Sequence, residues 1–141
     1  HHVPDYAEEH DLYKPVHQKH PCTLWAMETR ANYWFAMDLY GLMLLEYTKR
    51  YGRVHGASKH KEAIYRGTWM IPDHTDGKMT PHPQCFSGHD QLKTDEVFPI
   101  LAYRRFYIVD KSRFARYKYT DKPKWMETEL PTWMKGETNV A

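Results

Sequence analysis

The sequence predicts a mainly α-helical single domain with two long helices, one short helix and a long irregular loop. Its 141 residues are enough for one hydrophobic core but too few for two ordinary domains. Hydrophobic residues make up 41% and charged residues 27%, which is typical of a folded globular chain rather than a disordered one. Two segments repeat apolar residues every three or four positions, which is the period of an α-helix.

A long amphipathic helix is predicted after an irregular arm that spans residues 1–21. Prolines interrupt the arm, whereas the residues that follow repeat an apolar position at helical spacing. Pro21 or Thr23 supplies the start of this helix, and Gly52 can adopt the left-handed conformation that ends it. We expect the apolar stripe to face the core. The stripe consists of Leu24, Met27, Ala31, Phe35, Leu39, Leu42 and Leu45.

A short helix and a long loop are predicted next. Ser58 is a good N-cap for the short helix, and Gly67 follows Arg66, where that helix would close. Residues 67–94 contain three prolines and three glycines without an apolar period, which predicts an irregular connection. Loops of this length in compact domains are usually functional or mobile.

A second long helix is predicted to start between Thr94 and Pro99 and to run to about Tyr119. Threonine is a capping residue, and proline suits the first turn of a helix. Residues 120–141 form an aromatic tail. We expect this tail to fold back, because its tryptophans would otherwise leave much apolar area in water.

Neither a membrane span nor a disulfide framework is predicted. The longest apolar stretch, residues 33–45, contains Asp38 and is shorter than the roughly 20 residues that a bilayer requires. Cys22 and Cys85 are the only cysteines and form no CxxC motif. This usage fits a reducing compartment and indicates neither a disulfide framework nor a paired-thiolate zinc knuckle.

The charge of the chain is unevenly distributed. The formal net charge is +2, but residues 1–48 carry −4 and residues 100–124 carry +6. A partner responds to such local charge more than to the net value. The basic residues of the C-terminal segment are Arg104, Arg105, Lys111, Arg113, Arg116, Lys118, Lys122 and Lys124.

The second long helix combines these cations with aromatic rings. Tyr103, Tyr107, Phe114 and Tyr117 fall at offsets of 4, 11 and 14 residues, so a regular helix would place them on one face. Cations bind phosphates and flat rings stack on unpaired bases, so the pattern is typical of a nucleic-acid surface. The alternative is that the rings belong to the core and the cations to a solvated face. The candidate nucleic-acid-binding residues here are Tyr103, Arg104, Tyr107, Lys111, Arg113, Arg116 and Trp125.

Acid–base chemistry is a second hypothesis, placed on the first long helix. Glu28 lies one turn from Asn32 on the side away from the apolar stripe, near His20 at the entrance of the helix. A carboxylate beside a histidine can act as a general acid or base, which makes Glu28 and His20 the candidate catalytic pair. An exposed glutamate that pairs with a basic side chain is the simpler alternative.

Arg50 and His55 flank Gly52 at the end of the first long helix. Basic groups at this position can contact a phosphate, so both belong to the candidate nucleic-acid site. They can equally satisfy the last carbonyl groups of the helix.

The long loop is rich in histidine, but its spacing does not support a metal site. The pattern H-x7-H-x2-C-x3-H matches no standard zinc finger. The GxGxxG, Walker A, GxSxG and HExxH motifs are also absent from the sequence, so neither a metal nor a cofactor is predicted. The residues in question are His74, His82, Cys85 and His89, with Asp73, Asp76 and Asp90 nearby.

Several motifs of rare residues follow one another along the chain. They are His20-Pro21-Cys22-x-x-Trp25, Glu28, Asn32-Tyr33, Glu46-Tyr47-Thr48-x-Arg50-Tyr51-Gly52-x-x-His55, Ala102-Tyr103-Arg104-x-Phe106-Tyr107, Lys111 and Pro123-x-Trp125. In this order they resemble a family of small uncharacterised bacteriophage proteins, over about residues 13–126.

More distantly, the order of a long helix, a short helix, a basic stretch and an aromatic tail is similar to the phage endonuclease V type of pyrimidine-dimer DNA glycosylase. This resemblance implies DNA repair in the cytoplasm of an infected cell. In that family the terminal amine attacks the sugar and a glutamate of the first helix assists. Neither group maps onto this chain, because the segment that would hold them precedes His1. The resemblance therefore implies a truncated or processed form that lacks the catalytic N-terminal segment.

Two functions follow as hypotheses. The first is a phage-type DNA-binding protein related to base-excision repair glycosylases, which holds phosphates with its C-terminal cations and stacks an extruded base on Tyr103, Tyr107 or Trp125. The alternative is a structural or interaction protein, such as a virion component, whose aromatic tail docks on another phage protein.

Overall fold

The computed structural model describes residues 3–73, 76–95 and 99–126, and it describes side chains from residue 6 onward. Helical elements dominate these residues and no β-strand occurs among them, so the predicted mainly α-helical class is confirmed. The described residues divide into two compact units, one up to Cys85 and one from Phe86 onward.

The N-terminal unit is built from four α-helices in its described part. They are α1 (Val3–Glu9), α2 (Pro21–Glu28), α3 (Arg30–Tyr51) and α4 (Lys61–Arg66), with 3-10 turns at Gly56–His60 and Gly67–Met70. Helix α1 corrects the prediction of an irregular arm over residues 1–21. It is anchored to α4, because the Tyr6 hydroxyl donates a hydrogen bond of 2.5 Å to the carbonyl oxygen of Ala63.

The predicted first long helix is interrupted at Thr29. This residue has extended backbone angles (φ −137°, ψ 156°), and its hydroxyl oxygen accepts a hydrogen bond of 3.1 Å from the Asn32 N–H. Thr29 thereby caps α3 by satisfying an amide that has no partner within the helix. The prediction of one continuous helix was wrong because an apolar period does not reveal an N-cap inside it. The start at Pro21 is confirmed, as is the end at Gly52, whose φ of 63° is left-handed.

The predicted apolar stripe of α2 and α3 is exposed to solvent rather than buried. The exposed fractions of Leu42 and Leu45 are 63% and 68%. Asn32, which the helical period placed on the outer side, is fully buried instead. Among the described residues, no helix combines the length and the apolar character that a bilayer span requires. The exposed members of the stripe are Leu24, Met27, Phe35, Leu39, Leu42 and Leu45.

Tyrosines on another side of α3 make the packing contacts within the unit. The Tyr33 hydroxyl donates to the carbonyl oxygen of Ile64 at 2.7 Å, and the Tyr40 hydroxyl donates to that of Ala57 at 2.6 Å. Burial, with a smaller contribution from Tyr6, raises the pKa of Tyr33 to about 12, so its hydroxyl remains a donor at neutral pH. These hydrogen bonds link α3 to the 3-10 turn and to α4, and they orient its exposed apolar stripe outward.

The short helix starts differently from the prediction. His55 precedes a 3-10 turn and its Nδ1 atom accepts a hydrogen bond of 3.1 Å from the Ala57 N–H. Ser58 is not the cap, since its hydroxyl donates to the carbonyl oxygen of His55 at 2.7 Å. Helix α4 follows from Lys61 and ends at Arg66 as predicted.

The C-terminal unit contains one continuous helical segment of changing type. Helix α5 (Ile100–Phe106) passes into a π-helical turn (Tyr107–Lys111) and then a 3-10 turn (Ser112–Phe114). The helical start near Pro99 agrees with the prediction, but regular α-helix does not continue to about Tyr119. Because a π turn contains more residues than an α turn, offsets of 11 and 14 no longer place side chains on one face. Further 3-10 turns lie at Asp90–Leu92 and Lys124–Met126.

The core of the C-terminal unit is centred on Phe86, which is 1% exposed. Its ring stacks on Phe106 with a centroid distance of 4.9 Å and meets Tyr103 edge-on at 4.8 Å. Ala102 is fully buried on the same helix. The loop residue Phe86 thus holds α5 in place, and basic groups lie in the last turn of α5 and in the residues that follow it.

Candidate functional site

The predicted site residues are divided between the two units. His20, Glu28, Arg50 and His55 lie in the N-terminal unit. The C-terminal unit holds Tyr103, Arg104, Tyr107, Lys111, Arg113, Arg116 and Trp125. Each group therefore has its own structural environment.

Trp125 folds back onto the helical segment of the C-terminal unit. The guanidinium carbon of Arg104 lies 5.4 Å from the centre of the Trp125 ring, and Tyr107 meets that ring edge-on at 5.8 Å. The hydroxyl groups of Tyr107 and Tyr117 share a hydrogen bond of 2.5 Å. These contacts cover part of the Trp125, Tyr107 and Tyr117 side chains. The three residues therefore contribute mainly to packing within the unit, and less of each ring remains exposed for stacking on a base. Trp133 lies outside the described residues.

Beyond the π turn, cations lie beside rings that face solvent. Phe114 is 55% exposed and Tyr119 is 56% exposed. The Arg113 guanidinium carbon lies 5.1 Å from the ring centre of Phe114, and the Lys118 ammonium lies 5.1 Å from that of Tyr119. Arg113, Arg116 and Lys118 are themselves exposed. We call Arg113, Phe114, Arg116, Lys118 and Tyr119 the basic aromatic surface.

Asp110 neutralises part of the positive charge near this surface. Its carboxylate pairs with the Lys111 ammonium at 2.6 Å and with the Arg113 guanidinium at 3.6 Å. The hydrogen bond from Lys111 is the main cause that lowers the pKa of Asp110, and the charges of Lys111, Arg113 and His89 add to it against an opposing desolvation. Asp110 is therefore ionised at neutral pH and partly neutralises Lys111 and Arg113. Arg116 and Lys118 should then attract an external anion more strongly than Lys111 and Arg113 do.

The proposed catalytic pair is not brought together, because His20 and Glu28 lie at opposite ends of α2. His20 caps the start of the helix, where its Nδ1 atom accepts a hydrogen bond of 3.1 Å from the Cys22 N–H. Glu28 is the last helical residue and accepts a hydrogen bond of 2.9 Å from the Thr80 hydroxyl. The helix has eight residues. At about 1.5 Å per residue its two ends are about 12 Å apart, which is too far for direct proton transfer.

Arg50 and His55 have structural partners inside the N-terminal unit. Arg50 forms a salt bridge of 2.7 Å with Glu46, one turn earlier on α3. His55 caps the 3-10 turn, and its ring meets Tyr47 edge-on at 4.6 Å. Both side chains therefore have partners within the unit and do not need a phosphate for this purpose. These contacts of Arg50 and His55 are not with the last carbonyl groups of α3, which was the predicted alternative.

A buried hydrogen-bonded pair in the N-terminal unit was not foreseen from the sequence. The side-chain amide of Asn32 donates to the carbonyl oxygen of Trp25 at 2.8 Å and to the Thr80 hydroxyl at 2.7 Å. Its side-chain oxygen accepts a hydrogen bond of 3.0 Å from the Thr80 N–H. We call this pair the Asn32–Thr80 clamp. It satisfies both the donor and the acceptor of a fully buried amide, and it holds the loop segment 79–85 at the junction of α2 and α3.

Aromatic packing extends the clamp along the loop. The indole N–H of Trp25 donates to the carbonyl oxygen of Thr80 at 3.1 Å. The His82 ring stacks on Trp25 with a centroid distance of 4.5 Å and meets Phe35 edge-on at 4.9 Å. Burial lowers the pKa of His82, which favours the neutral ring in this aromatic environment. The loop is therefore fixed at two successive points, Thr80 and His82.

The two described histidines of the long loop, His82 and His89, belong to different units. His82 packs on Trp25, whereas His89 lies 3.9 Å from the Asp110 carboxylate and meets Phe106 edge-on. His74 lies outside the described residues. Each described histidine of the loop therefore makes its contacts within its own unit.

Cys85 instead approaches the start of α2. Its sulfur lies 3.5 Å from that of Cys22, although the two residues are 63 positions apart in the sequence. A ring nitrogen of His20 joins the two sulfurs, and the three atoms lie within 4.8 Å of one another. Sequence analysis missed this cluster because no local spacing links its two halves.

Comparisons with protein-family models, with curated proteins and with solved structures found no match. The resemblance to bacteriophage proteins therefore stays a prediction. Any functional assignment rests on the geometry described above.

We predict that Asn32→Ala and Thr80→Val each lower the free energy of unfolding by about 1–3 kcal/mol, because Asn32→Ala removes the partner of the half-buried Thr80 and Thr80→Val removes one hydrogen bond of the buried Asn32 amide. The double variant should lose less than the sum, by about 0.5 kcal/mol or more, since both changes remove the same contact. Urea denaturation followed by circular dichroism measures these values.

Thr48→Ala is the matched control. The Thr48 hydroxyl is exposed and donates to the Leu44 carbonyl oxygen of its own helix at 3.1 Å. Its removal should change stability by no more than about 0.5 kcal/mol. Strictly additive losses for Asn32→Ala and Thr80→Val would contradict the clamp.

Proposed function

We propose that the protein binds nucleic acid through the basic aromatic surface of the C-terminal unit. One observation carries the proposal: Phe114 and Tyr119 are each more than half exposed, and each has a cation 5.1 Å from its ring centre. Cations beside open rings can hold the phosphate backbone while bases stack on the rings. The sequence resemblance to pyrimidine-dimer glycosylases adds a direction, which is binding in the course of DNA repair.

Phosphate binding is assigned to the exposed cations. Residues 100–124 carry a net charge of +6. Within this segment, the Asp110 carboxylate forms ion pairs with Lys111 and Arg113. Arg116 and Lys118 are exposed outside these ion pairs and supply the charge that a phosphate would meet. Binding of this kind releases counterions and is therefore steeply dependent on salt concentration.

Base stacking is assigned to Phe114 and Tyr119. Cations lie over part of each ring, and a base can stack on the part that remains exposed. Because stacking of this kind accepts any base, the preferred ligand is single-stranded nucleic acid or a duplex with an extruded nucleotide. The rings of Tyr107 and Trp125 pack on one another, and Arg104 lies over the Trp125 ring. These residues support the basic aromatic surface through packing contacts inside the unit. A lesion that weakens base pairing lowers the cost of extrusion, which makes damaged duplex DNA the natural substrate class for such a surface.

Binding rather than catalysis is the activity proposed. The described residues do not assemble the pair of His20 and Glu28, which α2 holds apart. Glu28 instead supports Thr80 by accepting its hydroxyl hydrogen bond. The role of these two residues is thus structural in this proposal.

Fluorescence anisotropy with a labelled single-stranded oligonucleotide tests the proposal. Arg116→Ala combined with Lys118→Ala should weaken binding by about tenfold or more at low salt, because two phosphate contacts are lost. The slope of log K against log salt concentration should fall by about 0.7 for each lost contact. Phe114→Ala should weaken binding by about 1–3 kcal/mol and leave the slope unchanged, because stacking involves no counterion.

Lys14→Ala combined with Lys19→Ala is the control, since it removes the same charge from exposed positions in the N-terminal unit. This variant should bind within about twofold of the original protein. An equal loss in both double variants, or no binding by the original protein at low salt, would contradict the proposal. A duplex that contains a pyrimidine dimer, compared with the undamaged duplex, separates a repair function from general binding.

A protein-interaction role is the second candidate, and the exposed stripe of α3 favours it. Leu39, Leu42 and Leu45 are 50%, 63% and 68% exposed and follow one another at intervals of three residues. Monomeric proteins rarely leave contiguous apolar patches in water, and such patches commonly mark an interface. This role corresponds to a structural protein, such as a virion component, without catalytic activity.

Light scattering across a range of protein concentrations tests this second candidate through self-association. The original protein should increase in mass with concentration, and Leu42→Glu combined with Leu45→Glu should remain monomeric, because charged groups disrupt an apolar interface. Val54→Glu is the control, since Val54 is 71% exposed but lies outside the stripe. A monomer at every concentration for the original protein would count against an α3-mediated homo-oligomer.

A further inference from the structure

Three potential metal ligands meet at the start of α2. The sulfur atoms of Cys22 and Cys85 and a ring nitrogen of His20 all lie within 4.8 Å of one another. Within the described part of the chain, no other group of three or more histidine, cysteine or acidic side chains has this geometry. Two sulfurs and one imidazole nitrogen are ligands that zinc prefers, and they match a known three-residue donor set for this ion.

The distance between the two sulfurs fits a shared metal ion better than a covalent bond. They are 3.5 Å apart, whereas a disulfide bond is about 2.05 Å long. Two Zn–S bonds of about 2.3 Å at a tetrahedral angle place their sulfurs about 3.8 Å apart. A movement of a few tenths of an ångström therefore suffices for the sulfurs. The exposed His20 ring completes the set by closing about 1 Å toward them.

Both halves of the cluster are held in place by contacts that need no metal. On one side, Pro21 fixes the first turn of α2, which carries Cys22. The His20 ring caps this turn through the Cys22 N–H and exchanges that hydrogen bond for the metal on binding, because a neutral imidazole has only one nitrogen lone pair. On the other side, the Asn32–Thr80 clamp fixes the loop five residues before Cys85, and His82 adds a second attachment on Trp25. The two cysteines are thus preorganised, which reduces the ordering cost of binding an ion.

We infer that His20, Cys22 and Cys85 form a zinc site with one coordination position left for water or an external ligand. The positive end of the α2 dipole stabilises the thiolate form that a metal requires at Cys22. Zinc would join the first turn of α2 to the loop that carries Cys85, two segments 63 positions apart. The inference departs from the prediction that the chain holds no metal. It is independent of nucleic-acid binding, which involves residues of the C-terminal unit.

Titration of the reduced, metal-free protein with Co²⁺, followed by displacement with Zn²⁺, tests the site. We expect one Co²⁺ per chain, with the intense thiolate charge-transfer and tetrahedral d–d absorption that sulfur ligands produce. Cys22→Ser and Cys85→Ser should each lower zinc affinity more than about 100-fold, since even changes outside the ligand set cost 10–100-fold. Bound zinc should also raise the melting temperature of the original protein, because the ion binds only the folded form.

His17→Asn is the control, since His17 is exposed three positions before His20 and asparagine tolerates its φ of 52°, so this variant should leave zinc affinity unchanged. X-ray absorption of the zinc-loaded original protein does not depend on any variant that fails to fold. It should show two sulfurs at about 2.3 Å and at least one nitrogen at about 2.0 Å. A Co²⁺ complex without thiolate absorption, zinc affinity unaffected by Cys22→Ser, or a metal surrounded by nitrogen and oxygen alone would overturn the inference.

Discussion

The hydrogen bonds between Asn32 and Thr80 are the interaction on which the N-terminal unit depends. Buried apolar side chains are scarce in the described part of this unit, where Ile71, at 9% exposed, is the only one, so apolar burial alone does not specify its arrangement. Thr29, Asn32 and Thr68 are buried without any exposure. A buried amide whose donors and acceptor are all paired accepts few alternative geometries, because each lost partner leaves a costly unsatisfied group. The polar cluster therefore fixes the fold of this unit more firmly than its apolar surface does.

Two kinds of chemistry follow from this arrangement of the chain. In the N-terminal unit, the clamp fixes the loop that brings the sulfur of Cys85 to within 3.5 Å of that of Cys22. In the C-terminal unit, the ring of Phe86 packs against α5. The change to π and 3-10 geometry after α5 places Phe114 and its neighbouring cations at the solvent-exposed surface. One unit thus brings together three potential metal ligands, and the other has a positively charged surface with partly exposed rings.

Features that depend on neighbouring residues, such as helix ends, could be predicted from the sequence. Features that depend on contacts between distant residues, such as which side of α3 packs against the rest of the unit, could not. Gly52 ends α3 as expected, because a left-handed cap needs only the residues around it. The exposed stripe was assigned to the core because the apolar period cannot report that Tyr33 and Tyr40 attach the other side of α3 to distant carbonyl groups. The composition of the sequence locates the basic segment near the C-terminus. The π turn determines which cations of this segment pair with Asp110 and which face solvent. Residue propensities do not predict a π turn.

Hydrogen exchange at the Thr80 amide, followed by NMR, tests the central claim most directly. This N–H donates to the Asn32 side-chain oxygen at 3.0 Å, although it lies in a loop without helical hydrogen bonds. The account predicts that it exchanges as slowly as amides in the middle of α3, because both require opening of the same unit. Exchange at the rate of an unstructured peptide in the original protein would contradict the account.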